Sequence, residues 1–337
     1  MDSLLVGQPD AGTRWIEAMR RGDFSAAWAI NDAVLARGGG LPDDPRLPYH
    51  LRFVWDGRPF DGRNVLVRCY HGLGDTLQFA RYLPALRHRA ASVALEVQPE
   101  LFPLLRSIPE ADRVIPFQVD APAPPSACDL EIMELPHALR LGPETPPYLS
   151  VPPDQVHRAC ERLGGGPIIG ICSQAGDWDP ERSVPLATLA PALQNPGWRF
   201  IRLQRSPCPG LPPGLCWTNP DDPLDDMLDT AALVAAADLI VTVDTMIAHL
   251  AGAMGRPVWL LLKAEADWRW MNGRRDSPWY PTMRLFRQSH PGDWSVPVAN
   301  LAMELAAFVG FGHGPSAQHV AREPPPFTPS WDRSRLS

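Results

Sequence analysis

Two short stretches of this 337-residue chain place an acidic side chain where an apolar run gives way to a helical period. In the first, NVLVRCY is followed by His71-Gly72-Leu73-Gly74-Asp75 and then by Leu77, Ala80, Leu83 and Leu86. Gly72 and Gly74 permit a sharp strand-to-helix turn, and Asp75 then falls at the carboxyl end of a strand, where open α/β sheets bind ligands. A carboxylate there suits a general base, but aspartate is also among the commonest helix N-caps, and the spacing leaves both roles open. In the second, LIVTV delivers Asp244 and Thr245 to the start of MIAHLAGAMG. The free N–H groups and the dipole of a helix amino end suit a diphosphate. Thr245 is placed to donate to a phosphate oxygen, and Asp244 to hold the loop or accept from a ribose or sugar hydroxyl. Capping is the alternative for both, and His249 one turn on reads as a satisfied histidine on a half-buried helix face.

Other side chains converge on the same region. Arg182 lies in SQAGDWDPERSVPL, at the end of another apolar run, where a guanidinium can reach phosphates, although spacing alone fits a surface arginine in a polar loop better. AEADWRWMNGRRDSPWYPTM carries Asp267, Trp268, Arg269, Trp270, Trp279 and Tyr280. Aromatics at that density either stack on a base or a sugar or clamp the loop onto its own domain.

Positioning these groups requires a repeated strand–helix alternation. NVLVRCY, SVALEVQ (92–98), ELFPLLRSI (100–108), RVIPF (113–117) and LEIMELP as a last strand form one series. PIIGICS (167–173), WRFIRLQ (198–204), a helix starting at Asp229, LIVTV (239–243), a helix after Thr245 and PVWLLL (257–262) form another. Parallel sheets with crossover helices are the economical arrangement. Residues 14–37 have helical spacing on either side of Gly22-Asp23 and resemble a single tetratricopeptide unit, which must lean on a neighbour to bury its face. The expected division is a helical hairpin over 1–45, an α/β domain over 55–150, a second over 160–310, and a proline-rich, disordered tail over 311–337. The glycines at 38–40 and the Pro-Asp-Asp-Pro that follows are expected to be a linker.

The net charge of −7 argues against a nucleic-acid partner. The six cysteines, Cys69, Cys128, Cys160, Cys172, Cys208 and Cys216, form no Cys-x-x-Cys pair, so reduced thiols and no metal site are expected. With no basic start and no run of about 18 apolar residues, the expectation is a cytoplasmic protein that does not span a membrane.

Taken together, WDGRPFDGRNVLVRCYHGLGDTLQFARYLPAL, ERSVPLATLAPAL, DTAALVAAADLIVTVDTMIAHLAGAMGRPVWLLL and DWRWMNGRRDSPWYPTMRLFRQ resemble the bacterial glycosyltransferases fused to tetratricopeptide repeats. These are similar in turn to the family 9, heptosyltransferase-like group. The resemblance implies a GT-B fold, two Rossmann-like domains facing a cleft, with the nucleotide-sugar on the second and a hydroxyl acceptor (glycan, lipopolysaccharide-type or protein) along the first. It implies Asp75 as catalytic base of an inverting, metal-independent transfer without a cofactor. Gly72, Gly74, Arg182, Ser183, Gln204, Asp244, Thr245, Met246 and His249 would then line the nucleotide-sugar site, with Asp267, Trp268, Trp270 and Tyr280 near the base or sugar. Tyr70-His71 stands where relatives carry Glu-Gln, and Met246 where they carry a small residue. A non-catalytic interaction protein of the same fold, or a nucleotide-sugar epimerase or hydrolase, are the rival expectations.

Overall fold

The computed structural model describes residues 10–37, 54–143, 147–194, 197–204, 214–218, 224 and 226–309. The expected linker at 38–45, Cys208 and the expected tail at 311–337 lie outside the described residues.

The first apolar series forms four parallel strands, β1 (Asn64–Arg68), β2 (Ser92–Val97), β3 (Arg113–Pro116) and β4 (Cys128–Glu131), in the order β3-β2-β1-β4. The second forms β5 (Ile168–Cys172), β6 (Arg199–Arg202), β7 (Cys216–Trp217), β8 (Leu239–Val243), β9 (Val258–Leu262) and β10 (Met283–Arg287), ordered β10-β9-β8-β5-β6-β7 and again parallel. The central strands β5, β8 and β9 are buried throughout, as the unbroken Ile, Leu and Val runs require of strands covered on both faces. Along β9, Val258, Leu260 and Leu262 point into one apolar cluster while Trp259 and Leu261 point into another.

Each sheet reverses direction once, between β1 and β4 in the first and between β5 and β8 in the second. Such switch points leave a crevice beyond the carboxyl ends of the two diverging strands. Helix α3 (Leu73–Phe79) leaves β1, and α10 (Met246–Ala253) leaves β8. The two helices pack against one another, so the switch point of one sheet is brought against that of the other. The contact is close at Gly74, where a Cβ would stand 2.9 Å from Cδ2 of His249. Buried side chains of both α3 and α10 belong to one continuous apolar cluster, so the two sheets share part of a core.

Two expectations are corrected. LEIMELP is strand only as far as Glu131. The Glu131 carboxylate accepts from the N–H of Met133 (2.6 Å) and the Glu134 carboxylate from the N–H of Glu131 (2.7 Å), which turns the chain into a 3-10 helix and then α6 (Leu135–Leu139) with Pro136 in its first turn. The helix expected at Asp229, α9 (Met227–Ala236), starts two residues earlier because Asp226 caps it through the N–H of Leu228 (2.7 Å).

Helices α1 (Ala11–Arg21) and α2 (Phe24–Ala36) are capped by Asp10 and Asp23 and joined at Gly22, whose φ of 74° ends α1 in the left-handed conformation. They touch both sheets' surroundings. Trp15 meets Trp268 edge-on at 5.1 Å, and Asp32 accepts from Arg140 (2.6 Å) and pairs with Nε2 of His137 (2.9 Å).

Candidate active site

At the second switch point, the amino end of α10 carries no side-chain cap. Thr245 holds an extended backbone, and its hydroxyl lies 3.3 Å from that of Thr242 instead of over the first-turn N–H groups. The Thr245 carbonyl accepts from the N–H of Ala248 (3.0 Å), but its side chain caps none of the first-turn N–H groups, and those of Met246 and Ile247 present partial positive charge. Beside them the buried Arg182 donates from Nη1 to the carbonyl of Asp244 (2.8 Å), stacks on Trp178 at 4.1 Å, and has Nε 3.6 Å from the Asp179 carboxylate. Its Nη2 makes no hydrogen bond among the described residues. Lys263 pins this loop to the end of β9 through Asp179 (2.9 Å) and Glu181 (3.3 Å). Ser183 Oγ accepts from the N–H of Ala175 (2.9 Å), and Gln204, buried at the end of β6, accepts from the N–H of Ser173 (3.1 Å). Both hold the loop after β5 in place. Met246 is half-buried in the first turn of α10.

Burial, aided by the charge of Asp267, pushes the Asp244 carboxyl up to about 6 against the opposing charges of Arg182 and Arg269. His249 is fully enclosed, with Nδ1 2.9 Å from the Tyr280 hydroxyl and its ring stacked on Trp270 at 5.3 Å. Burial first, then the cations Arg269, Arg81 and Arg182, hold it well below its ordinary value, so it stays neutral.

Across the α3–α10 contact, Asp75 has both oxygens engaged. Oδ2 accepts from the N–H of Gly72 (2.9 Å), and Oδ1 is paired with Nη2 of Arg269. Arg269 is buried and also donates to Gln78 (2.6 Å) and to Asp267 (2.9 Å). One guanidinium from the second half thus fastens two side chains of the first. Sequence reasoning named Arg269 only among the loop residues and missed its bridge to Asp75 and Gln78, because an arginine between two tryptophans shows no spacing signal for a partner nearly two hundred positions away. It also left out the neighbouring His71, whose Nδ1 lies 3.0 Å from Oε1 of the buried Glu131. The unusual residue before Gly-Leu-Gly-Asp was the signal for that one.

The aromatic loop is corrected. Trp268, Trp270, Trp279 and Tyr280 are buried. Trp279 and Tyr280 pack on the guanidinium of Arg81 at 5.1 and 4.7 Å, and Tyr280 fills the space over Gly252. Their faces are spent on packing, so these residues take the clamping role of the two expected for them. Asp267 caps the 3-10 turn of Trp268–Trp270 and holds Arg269. Among the described residues no group of three or more His, Cys, Asp or Glu is arranged to hold a metal, and no helix is long and apolar enough to cross a membrane.

This architecture, two parallel sheets with their switch points facing, is the α/β fold seen in family 9 glycosyltransferases of known structure. The chain resembles the glycosyl transferase family 9 structure from Veillonella parvula with a TM-score of 0.54 and 11% identity, covering 73% of this chain and 99% of that one. It resembles the E. coli ADP-heptose lps heptosyltransferase II with a TM-score of 0.52 and 17% identity, over 74% and 100% of the two chains. For E. coli heptosyltransferase WaaC with ADP-2-deoxy-2-fluoro heptose the TM-score is 0.51 and the identity 14%, over 73% and 99%. By sequence it is similar to Protein FlbA of Caulobacter vibrioides, 28% identical over 303 residues, 80% of this chain and 50% of that protein. The chain therefore spans about half the length of the curated relative it matches. No family model matches.

Proposed function

We propose that the protein is a glycosyltransferase that moves a sugar from a nucleoside-diphosphate sugar to a hydroxyl acceptor, with inversion and without a metal, in the cytoplasm. The observation that carries this reading is the uncapped amino end of α10 beside the anchored Arg182, at the switch point of the second sheet. The departing diphosphate gains negative charge as the anomeric bond breaks. Fixed N–H dipoles and the unused Nη2 of Arg182 stabilise that charge without reorganising. The space between the two switch points is the proposed cleft, with Asp75 on its acceptor side. The α1–α2 pair is proposed as a lone tetratricopeptide-like unit that braces the loop carrying Arg269. The solved relatives that carry ADP-heptose or its analogue in their names make ADP-sugars the first donors to test.

Asp75→Asn is expected to keep nucleotide binding and lower transfer by roughly a hundredfold or more. Near-normal turnover would remove Asp75 from the site. A second reading, a non-catalytic protein of the same fold, is favoured by the Arg269 bridge, which engages Asp75. Incubation with labelled donor, with and without acceptor, separates the two readings: sugar transfer supports the first, release of free sugar alone indicates a hydrolase, and no turnover supports the second.

A further inference from the structure

The transferase reading needs a group to take the acceptor's proton, and the first switch point holds one that the Asp75 assignment leaves unused. His71 follows β1, and Glu131 ends β4, the two strands between which the first sheet reverses. Nδ1 of His71 stands 3.0 Å from Oε1 of Glu131, a carboxylate with only 3% of its side chain exposed, while the His71 ring is 32% exposed. Glu131 is itself fixed, its oxygens taking the N–H groups of Tyr70 (3.3 Å) and Met133 (2.6 Å). The backbone of His71 is held from β2's end, where Gln98 donates to its carbonyl (2.7 Å). Nδ1 thus lies within ion-pair distance of Glu131 without hydrogen-bond alignment, and Nε2 has no hydrogen bond or ion pair among the described residues. Asp75 is the more engaged of the two, since each of its oxygens already accepts one bond, from Gly72 and from Arg269.

We propose that His71, oriented by Glu131, is the general base that accepts the proton of the acceptor hydroxyl, and that Asp75 and Arg269 position the turn that carries it. This rests on the glycosyltransferase reading. As the acceptor oxygen bonds to the anomeric carbon, its proton passes to Nε2. The bond from that carbon to the diphosphate breaks, and its electron pair leaves on the phosphate oxygen. The imidazolium then returns its proton to water. The charged groups facing His71 are Glu131 with Glu134 behind it, Asp75 from α3, and Arg269 from the turn after β9. Burial lowers the imidazole's proton affinity, but contact with Glu131 and the charges of Glu131 and Asp75 outweigh burial and Arg269 and hold it above its ordinary value. A base must be neutral to act, so transfer should rise with pH through a midpoint above that of a free histidine.

The test is the pH profile of kcat for transfer by the full chain. His71→Ala is expected to lose roughly a hundredfold or more in kcat, to lose the acid limb and to regain rate with added imidazole. Asp75→Asn is expected to slow the reaction and keep the limb. Glu131→Gln, which retains an acceptor oxygen, is expected to move the limb to lower pH, and this reads the pair even if His71→Ala does not fold. An acid limb that survives in His71→Ala and disappears in Asp75→Asn would overturn the assignment and make Asp75 the base. An unmoved limb in Glu131→Gln would remove the pairing. No transfer by the wild-type chain, with no nucleotide bound, would instead overturn the transferase reading on which the assignment rests.

Discussion

The two switch points are made from the same parts and finished differently. Each follows a buried strand with a tight turn, an aspartate and a helix. At the first, the aspartate is consumed: Asp75 caps Gly72 and receives Arg269. At the second, Asp244 caps nothing, Thr245 turns its hydroxyl aside, and α10 begins with an open amino end beside Arg182. The first end is acidic and carries His71 with Glu131. The second presents donors. On the proposed reading a donor phosphate belongs at the second end and a proton acceptor at the first, so the difference in finish, more than the likeness in sequence, would give the molecule its polarity.

That contrast can be broken most forcefully at Arg269, the bridge between the two ends. Arg269→Met leaves Asp75 and Asp267 without their shared cation, and removal of one partner from a buried pair should cost about 3 kcal/mol or more, measured by denaturant unfolding. Asp244 tests the second end from the opposite direction. Its carboxyl is pushed up to about 6 in the folded protein, so the folded state binds this proton more tightly than the unfolded state. Its ionisation therefore destabilises progressively as pH rises from about 4 to 6. Asp244→Asn should stabilise by at most about 3 kcal/mol at pH 7 and by nothing below about pH 4, a difference readable from melting temperatures at the two pH values.

Arg182→Ala sharpens the comparison without disturbing the first end. Loss of a charged donor should weaken nucleoside diphosphate binding by about 1.5–3 kcal/mol, or roughly ten- to a hundredfold, while thermal stability changes less. The closest approach of the two ends is probed by Gly74→Ala. The added Cβ meets the His249 ring, which Trp270 and Tyr280 hold from behind, and overpacking of this kind costs about 1–3 kcal/mol. Equal stability in Gly74→Ala and wild type would mean that α3 and α10 are not held this tightly.

Much of this was legible in the chain itself. The strands from NVLVRCY to PVWLLL announce themselves because strands covered on both faces must be apolar throughout. The turns at Gly72–Asp75 and Asp244–Thr245 were visible because glycine, aspartate and threonine have few reasons to follow such runs together. The end of LEIMELP was not, since a capping pair between Glu131 and Glu134 looks like ordinary surface charge until its N–H partners are seen. The fate of the aromatics was ambiguous because a tryptophan that stacks on a ligand and one that stacks on Arg81 have the same neighbours in sequence. The long-range partners Arg269 and Asp75 carry no local periodicity at all, and only the packing of α3 on α10 brings them together.

The central claim is that the amino end of α10 and Arg182 form a nucleoside diphosphate site. Isothermal titration of the wild-type chain with ADP, GDP, UDP, dTDP and CDP, repeated on Arg182→Ala, tests it most directly. The account predicts one-to-one binding of at least one of the five, selectively over the others, and at least tenfold weaker binding in the variant. Heat-silent titrations with all five, or equal affinity in wild type and Arg182→Ala, would contradict it.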